Sequence, residues 1–390
     1  MQLSRRALEI QPSSTLAITS RAKELKSQGV DVVSFGAGEP DFPTPEHIVE
    51  AACKAAAKGE TRYTPVSGIP KLREAVAASL AVEPNQVVVS CGAKHSLYNT
   101  FQVLLDPGDE VLIPIPYWVS YPEQVALAGG KSVFVEPGED LLVTPESLEK
   151  AVTPKTKGLV LNSPSNPTGA VYSAEQLAAI GEFAEKYDLF IISDEIYQSL
   201  TYDGLKAQSL ITLLPQLRDR TIVIDGVSKK YAMTGWRIGW AVAPSEVAKA
   251  MGSLQSHSTS NPTSFAQWGA LAALEGSQDA VEEMRREFEA RRDLICSLAD
   301  QIPGLSYYRP QGAFYLFVDI SALLGKRYQG TTIDSGDTFA SLLLEQAAVA
   351  LVPGSGFGMP NCLRLSYATS REQIQKGLSR IKEFVNKLEV

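Results

Sequence analysis

The chain has 390 residues, 44% apolar and 21% charged, with 36 basic against 44 acidic residues and a net charge of −8. That length predicts two packed domains, each with its own core. The composition excludes a disordered, collagen-like or disulfide-stapled chain, no run is long and apolar enough to span a bilayer, and the acidic balance argues against a nucleic-acid binder.

The first 40 or so residues contain Pro12, Pro40, Pro43 and Pro45 and read as an arm plus a turn. Met1 to Ile10 holds no long apolar stretch, so no secretory signal and a cytoplasmic protein are expected. From about residue 85, short β-branched runs alternate with amphipathic stretches. The runs are Val87–Val89, Glu110–Ile113, Ser132–Val135, Gly158–Leu161, Leu189–Ser193 and Thr221–Ile224. Between two of them, Ala174 to Tyr187 places Leu177, Ile180 and Phe183 on one helical face. Such alternation predicts an α/β fold with a largely parallel sheet covered by helices. Near-continuous apolar strands such as Leu189-Phe190-Ile191-Ile192 suit a sheet buried on both faces. Residues 281 to 300 read as a long helix with Met284, Phe288, Ile295 and Leu298 as its apolar stripe, the Arg and Glu side chains being solvated. A strand at Phe314–Val318, a helix at Phe339–Ala348, a strand at Leu363–Tyr367 and a helix at Arg371–Leu388 then suggest a smaller α/β domain.

Cys53, Cys91, Cys296 and Cys362 form no CxxC pair and are expected as reduced, mostly buried thiols. With His47, His95 and His257 the only histidines, no metal site is expected.

In an open α/β sheet, ligands bind beyond the carboxyl ends of the strands. After Val87–Val89 come Gly92, Ala93 and Lys94 at a helix start, either a phosphate cradle or an ordinary turn. After Gly158–Leu161 comes Asn162-Ser163-Pro164-Ser165-Asn166-Pro167-Thr168-Gly169. This is either a stiff turn or a rigid mount for the Asn166 amide, with Gly169 at a permissive backbone position. After Leu189–Ser193, Asp194 is either a helix cap or a buried carboxylate that needs a partner, and Tyr197 follows it. After Thr221–Ile224, Ser228 and Lys229 precede Arg237. Partial burial at a strand end would turn Lys229 toward a nucleophilic amine. A phosphate cup, an amide, a carboxylate, a phenol and a lysine at the ends of one sheet are what pyridoxal phosphate requires of a protein.

Six segments carry a family resemblance: Gly36-Ala37-Gly38-Glu39-Pro40-Asp41-Phe42, Pro116-Tyr117-Trp118, Asn162 to Gly169, Ser193 to Tyr197, Gly226 to Gly239, and Arg364 to Tyr367. On these segments the chain resembles the class I (fold type I) pyridoxal-phosphate aminotransferases, and most closely the bacterial-type branch of aspartate aminotransferases. The resemblance spans nearly the whole chain. Ser228 to Gly239 is its most specific part.

The resemblance implies a large cofactor domain with a mostly parallel seven-stranded sheet, plus a smaller α/β domain. Residues 1–45 would be an arm and part of the small domain, 46–285 the large domain and 286–390 the small C-terminal domain. It implies pyridoxal 5'-phosphate as cofactor and no metal. Lys229 would carry the cofactor through a Schiff base and shuttle the substrate proton. Asp194 would pair with the ring nitrogen, Tyr197 and Asn166 with the ring's phenolic oxygen, and Trp118 would stack on the ring. Gly92, Ala93, Lys94, Ser228 and Arg237 would hold the phosphate, joined by Tyr63 from the other subunit of a homodimer with shared sites. Arg364 would grip the substrate α-carboxylate, with the Gly38 backbone closing over it, and Trp118 and Asn166 would also border the substrate. Lys94 matches the second cation that a dicarboxylate substrate needs.

The implied activity moves an amino group between L-aspartate and 2-oxoglutarate, giving oxaloacetate and L-glutamate, by a ping-pong mechanism. Small amino and oxo acids are then the partners, with no nucleic acid and no membrane. Gln11-Pro12-Ser13 lacks the basic residue that in relatives favours prephenate, which counts against that substrate. Alternatives on the same fold are an aromatic or broad-range aminotransferase, a carbon–sulfur lyase or a cyclopropane-forming synthase. A sensor with a DNA-binding segment before the fold is a different class, and the short arm and net charge of −8 oppose it.

Overall fold

A computed structural model describes residues 2–4, 7, 8, 10 and 14–389. The Gln11-Pro12-Ser13 segment lies outside them. Among the described residues, seven strands form the main sheet: β1 Val87–Ser90, β2 Glu110–Pro114, β3 Lys131–Val135, β4 Thr156–Asn162, β5 Phe190–Asp194, β6 Thr221–Gly226 and β7 Gly239–Val242. Their spatial order is β1-β7-β6-β5-β4-β2-β3. Only β7 runs against its neighbours, so the other six carboxyl ends face the same way.

The six predicted runs are six of these strands. Apart from the edge strand β3, their apolar side chains alternate between two buried faces. Val87 and Val89 join one core cluster with Val223, Trp240 and Val242, while Val88 joins another with Val160, Ile192, Ile222 and Ile224. Leu159, Leu161 and Ile191 point into a third. Each fully buried Val, Leu or Ile stabilises by about 1.5–3 kcal/mol, which explains the continuous apolar runs. Asp194 is two residues beyond Ile192 and Asn162 two beyond Val160, so both project on the Ile192 face, next to Trp118 and Tyr121.

A smaller antiparallel sheet comprises β8 Ser306–Tyr307, β9 Tyr315–Asp319, β10 Val352–Pro353 and β11 Cys362–Ser366, in the order β10-β11-β9-β8. Helices Gly336–Ala347 and Arg371–Val385 pack their Phe339, Leu343, Ile374, Leu378 and Ile381 against it. The predicted C-terminal elements occupy these positions within a few residues.

Three expectations need correction. The chain start is more than an arm and a turn: Ser14–Ser27 is a helix, and Val33–Ser34 pairs in parallel with Val349–Ala350. Ile18, Ala22 and Leu25 recur at helical spacing and pack near Val32, Leu344 and Ala350. The helix Asp279–Ala299 does carry the expected stripe, but its arginines are not all solvated. Arg292 is 1% exposed, with two bonds to the Asp203 carboxylate at 2.5 and 2.8 Å. Arg291 is buried against Asp41 at 2.7 Å and Glu287 at 2.9 Å. Both guanidiniums can be buried because a carboxylate meets each fork. Finally, only Cys296 and Cys362 of the four cysteines are buried; Cys53 is exposed and Cys91 intermediate. No helix among the described residues is long and apolar enough to cross a membrane.

Candidate active site

Strand β1 passes through Gly92 into the helix Ala93–Leu104. Gly92 has φ +86°, and a Cβ there would lie 2.5 Å from Arg237 Nη2. The positive φ favours glycine, and a side chain there would have to push the tip of Arg237 aside. The first-turn N–H groups of Ala93 and Lys94 have no acceptor inside their own helix, and the helix dipole favours an anion beside them. Arg237 approaches that end with φ 56°, a left-handed conformation that costs a non-glycine residue of order 1–3 kcal/mol. Its Nη1 donates to Thr234 O at 2.8 Å and its Nη2 to Cys91 O at 3.3 Å. Ser228 is buried. Lys94 is exposed by area, yet its ammonium lies 4.8 Å from the Trp118 ring centroid. Desolvation first, then the Arg237 charge, lower its pKa.

At the end of β5, Asp194 is 4% exposed. One carboxylate oxygen accepts from the Tyr121 hydroxyl at 2.7 Å and the other from Ile196 N–H at 3.3 Å. Asp194 thus caps the following turn as well as holding a buried charge. Desolvation raises its pKa to about 6, against the lowering effect of those bonds and of Lys229. The Asn162 amide fixes the Asp194 carbonyl at 3.0 Å and accepts from Asn166 N–H at 2.8 Å. Gly169 closes that loop with φ +70°, as the sequence pattern expected; a Cβ there would lie 2.6 Å from Gly312 O.

Beyond β6, Lys229 sits in the one-turn helix Val227–Lys230. Its ammonium donates to the Gly38 carbonyl and lies 5.8 Å from the Tyr197 ring centroid and 5.9 Å from that of Phe314. Desolvation lowers its pKa to about 8, with the Glu39 charge opposing. The Tyr197 and Tyr315 hydroxyls bond each other at 2.8 Å, and burial raises both pKa values.

Arg364 stands on β11 opposite Phe317 and is 2% exposed. Its guanidinium carbon lies 4.5 Å from the Tyr315 ring centroid and 5.1 Å from that of Phe357. Nη1 donates to Asn166 Oδ1 at 2.9 Å and Nη2 to Gly36 O at 3.4 Å, while Nε has no partner. Among the described residues no carboxylate pairs with it. Desolvation lowers its pKa. A buried cation without an anion is costly, so this group is built to receive one. Because Arg364 holds Asn166 Oδ1, the amide nitrogen of Asn166 is turned away from it, free to donate elsewhere.

Lys229, Gly38, Tyr197, Arg364, Asn166 and Asp194 therefore form one run of neighbours, linked through Tyr315 and Asn162. Trp118 joins it through Tyr121, at 5.4 Å between ring centroids, and Lys94 through Trp118. Gly92, Ala93, Ser228 and Arg237 lie beside it. Tyr63 does not join: it is 90% exposed. Sequence reading missed Tyr121, Tyr315 and the bonding role of Asn162. Tyr121 is three residues after Trp118, a helical spacing that could have flagged it. Tyr315 had no local signal, since only the β9–β11 register brings it to Arg364.

The family model for aminotransferase class I and II matches residues 30–381. The aspartate aminotransferase of Geobacillus stearothermophilus is 52% identical, with 99% of each chain covered. That of Bacillus subtilis is 50% identical, over 99% of this chain and all of the relative. The crystal structure of the aspartate aminotransferase from Rhizobium meliloti superimposes with a TM-score of 0.96 at 41% identity, covering 100% of both chains. The Thermus thermophilus aspartate aminotransferase with maleate gives a TM-score of 0.93 at 45% identity, covering 98% of this chain and 100% of that one. The chain belongs to the class I and II aminotransferases. It is a pyridoxal-phosphate-dependent enzyme of fold type I.

Proposed function

We propose that the protein transfers an amino group between L-aspartate and 2-oxoglutarate, giving oxaloacetate and L-glutamate, in a ping-pong cycle. The observation that carries an amino-acid substrate is Arg364, a buried guanidinium with no carboxylate partner among the described residues and an unsatisfied Nε. The relatives named aspartate aminotransferase at 50–52% identity support aspartate as the donor.

The residues present fit pyridoxal 5'-phosphate. The Gly92 turn is kept open where a side chain would strike Arg237. In our reading, the Gly92, Ala93 and Lys94 backbone, Ser228 and Arg237 hold the phosphate, and Trp118 covers the ring face. Asp194 keeps a proton on the ring nitrogen, its buried charge being paired in doing so. Tyr197 and the free Asn166 amide donate to the ring's phenolic oxygen. The bound cofactor supplies an electron-withdrawing ring that stabilises negative charge at the substrate α-carbon and stores the amino group between half-reactions.

Arg364 takes the α-carboxylate in a two-pronged grip and so orients the Cα–H bond. Lys229 would hold the cofactor through its amine and, when that amine is free, would take up the proton from the substrate Cα and give it back. With its pKa lowered to about 8, its amine is a competent base near neutral pH. Gly38, whose carbonyl holds the Lys229 ammonium, borders the substrate carboxylate, and Lys94 meets the distal carboxylate.

We further infer a cytoplasmic homodimer with shared sites. Tyr63 supports it: an aromatic side chain 90% exposed, away from the site of its own chain, suits a ligand to the partner's cofactor phosphate. For domains, our reading keeps 1–45 as an arm and part of the small domain, 46–285 as the large domain and 286–390 as the small C-terminal domain. The boundary then falls inside the helix Asp279–Ala299, whose Val281 packs in the large core and Met284 to Ala299 in the small one.

A second reading adds prephenate as substrate, because a 47% identical relative from Rhizobium leguminosarum is named a probable aspartate/prephenate aminotransferase. Incubating the protein and cofactor with aspartate and either 2-oxoglutarate or prephenate, and with 2-oxoglutarate and each of alanine, phenylalanine and tyrosine, separates these readings: amino transfer from aspartate to prephenate would support the second. Fast glutamate formation from aspartate alone is expected. Equal rates from the aromatic donors would overturn the dicarboxylate assignment.

A further inference from the structure

Tyr315 occupies a junction that the roles above leave unused. It is 1% exposed on β9. Its ring lies under the Arg364 guanidinium, with 4.5 Å between centroid and guanidinium carbon, and its hydroxyl meets that of Tyr197 at 2.8 Å. A Cβ built on Gly38 would be 3.5 Å from that same hydroxyl, so it also lies close to the loop that holds the Lys229 ammonium. One side chain therefore touches the group that receives a carboxylate and the group that faces the cofactor.

Each contact has its own chemistry. The ring face offers negative charge to a guanidinium that no described carboxylate pairs with, and it fixes the plane of the fork. At the hydroxyl pair, one oxygen must donate and the other accept. If Tyr197 spends its proton on the cofactor's phenolic oxygen, its own oxygen can only accept, and Tyr315 is the donor. Donation into the Tyr197 oxygen makes Tyr197 the stronger donor in turn, since bonds in series polarise one another. Burial keeps both phenols protonated, as this relay needs.

We propose that Tyr315 is a positioning residue for transamination: its hydroxyl strengthens the Tyr197 bond to the cofactor, and its ring separately holds Arg364 ready for the substrate carboxylate. The inference rests on the cofactor and Arg364 roles proposed above. It assigns two separable jobs to one side chain, and Phe and Leu replacements divide them.

The test uses the holoenzyme of the parent, Tyr315→Phe and Tyr315→Leu, with two readouts that need no turnover. The first is the pH midpoint of the bound cofactor's visible absorbance without substrate. The second is the dissociation constant of maleate, an unreactive dicarboxylate. In Tyr315→Phe the midpoint should rise by about half to one pH unit, as a weakened bond to the phenolic oxygen destabilises its anionic form. Its maleate affinity should stay within about twofold, and kcat should fall about fivefold. Tyr315→Leu should show the same midpoint rise and bind maleate about fivefold more weakly or worse. An unmoved midpoint in Tyr315→Phe would overturn the hydroxyl role. Equal maleate affinity in the Phe and Leu variants would overturn the ring role. Failure of the parent to bind maleate would mark failure of the dicarboxylate reading, whereas the absorbance midpoint, which uses no ligand, would still read the hydroxyl role.

Discussion

Replacing Asp194 by asparagine should separate a buried charge from a turn cap. In the cofactor-free protein, desolvation lifts the Asp194 pKa from 3.8 to about 6, so holding its charge costs about 3 kcal/mol. The sign follows from proton linkage. A folded pKa above the unfolded one stabilises fully below about pH 4, and the benefit is lost as pH rises through about 6. Asparagine carries no charge and does not titrate. The cofactor-free variant should therefore exceed the parent by about 2 kcal/mol at pH 5 and by about 3 kcal/mol at pH 8, less the cost of altered bonding to Tyr121. With cofactor bound the order should reverse, because the carboxylate then has a cationic ring nitrogen to pair with. Turnover should drop by on the order of a thousandfold or more. Urea unfolding of both proteins at the two pH values, with and without cofactor, measures the first effect, and steady-state kinetics the second. A variant that loses stability at pH 8 without cofactor and turns over within threefold of the parent would reduce Asp194 to a cap for Ile196.

Gly92→Ala should weaken cofactor affinity at least tenfold, since its Cβ would fall 2.5 Å from Arg237 Nη2 at a backbone φ of +86°; equilibrium dialysis with the cofactor checks it. Lys94→Ala should lower kcat/KM for aspartate and glutamate by about fivefold or more and spare alanine and phenylalanine. The effect is kept modest because Lys94 is exposed in the single chain; an equal loss on all donors would assign it to the phosphate alone. Lys229→Ala should be inactive, whereas Lys230→Ala should keep most activity. Mixing Lys229→Ala with Tyr63→Phe should restore activity in hybrid dimers beyond that of either variant alone, and a fully active monomer by light scattering would contradict shared sites.

How far the sequence revealed this site depends on how local each signal is. Strands buried on both faces announce themselves as Val-Val-Val or Phe-Ile-Ile runs, so six of the seven sheet strands were legible. β7 was not read from its pattern: it is four residues long and begins with Gly239, whose Cβ would lie 2.2 Å from Ala93 N. Close packing excludes a side chain at Gly239, which leaves only Trp240, Ala241 and Val242 to mark the strand. The helix Ser14–Ser27 was masked by a narrow apolar stripe of Ile18, Ala22 and Leu25 beside a proline-rich stretch. Arg291 and Arg292 looked solvated because their partners Asp41 and Asp203 are distant in sequence. In the site, groups at strand ends were legible, because each follows its own apolar run. The Tyr121 bond to Asp194 and the Tyr315 junction come from tertiary register, which no local pattern carries.

The most direct test of the central claim follows the nitrogen itself. The protein with pyridoxal 5'-phosphate is given 15N-labelled aspartate and unlabelled 2-oxoglutarate, and the products are read by NMR. The account predicts labelled glutamate and unlabelled oxaloacetate in equal amounts, with no free labelled ammonia, and no glutamate from the Lys229→Ala variant. Labelled ammonia in place of labelled glutamate would show elimination rather than transfer, and would contradict it.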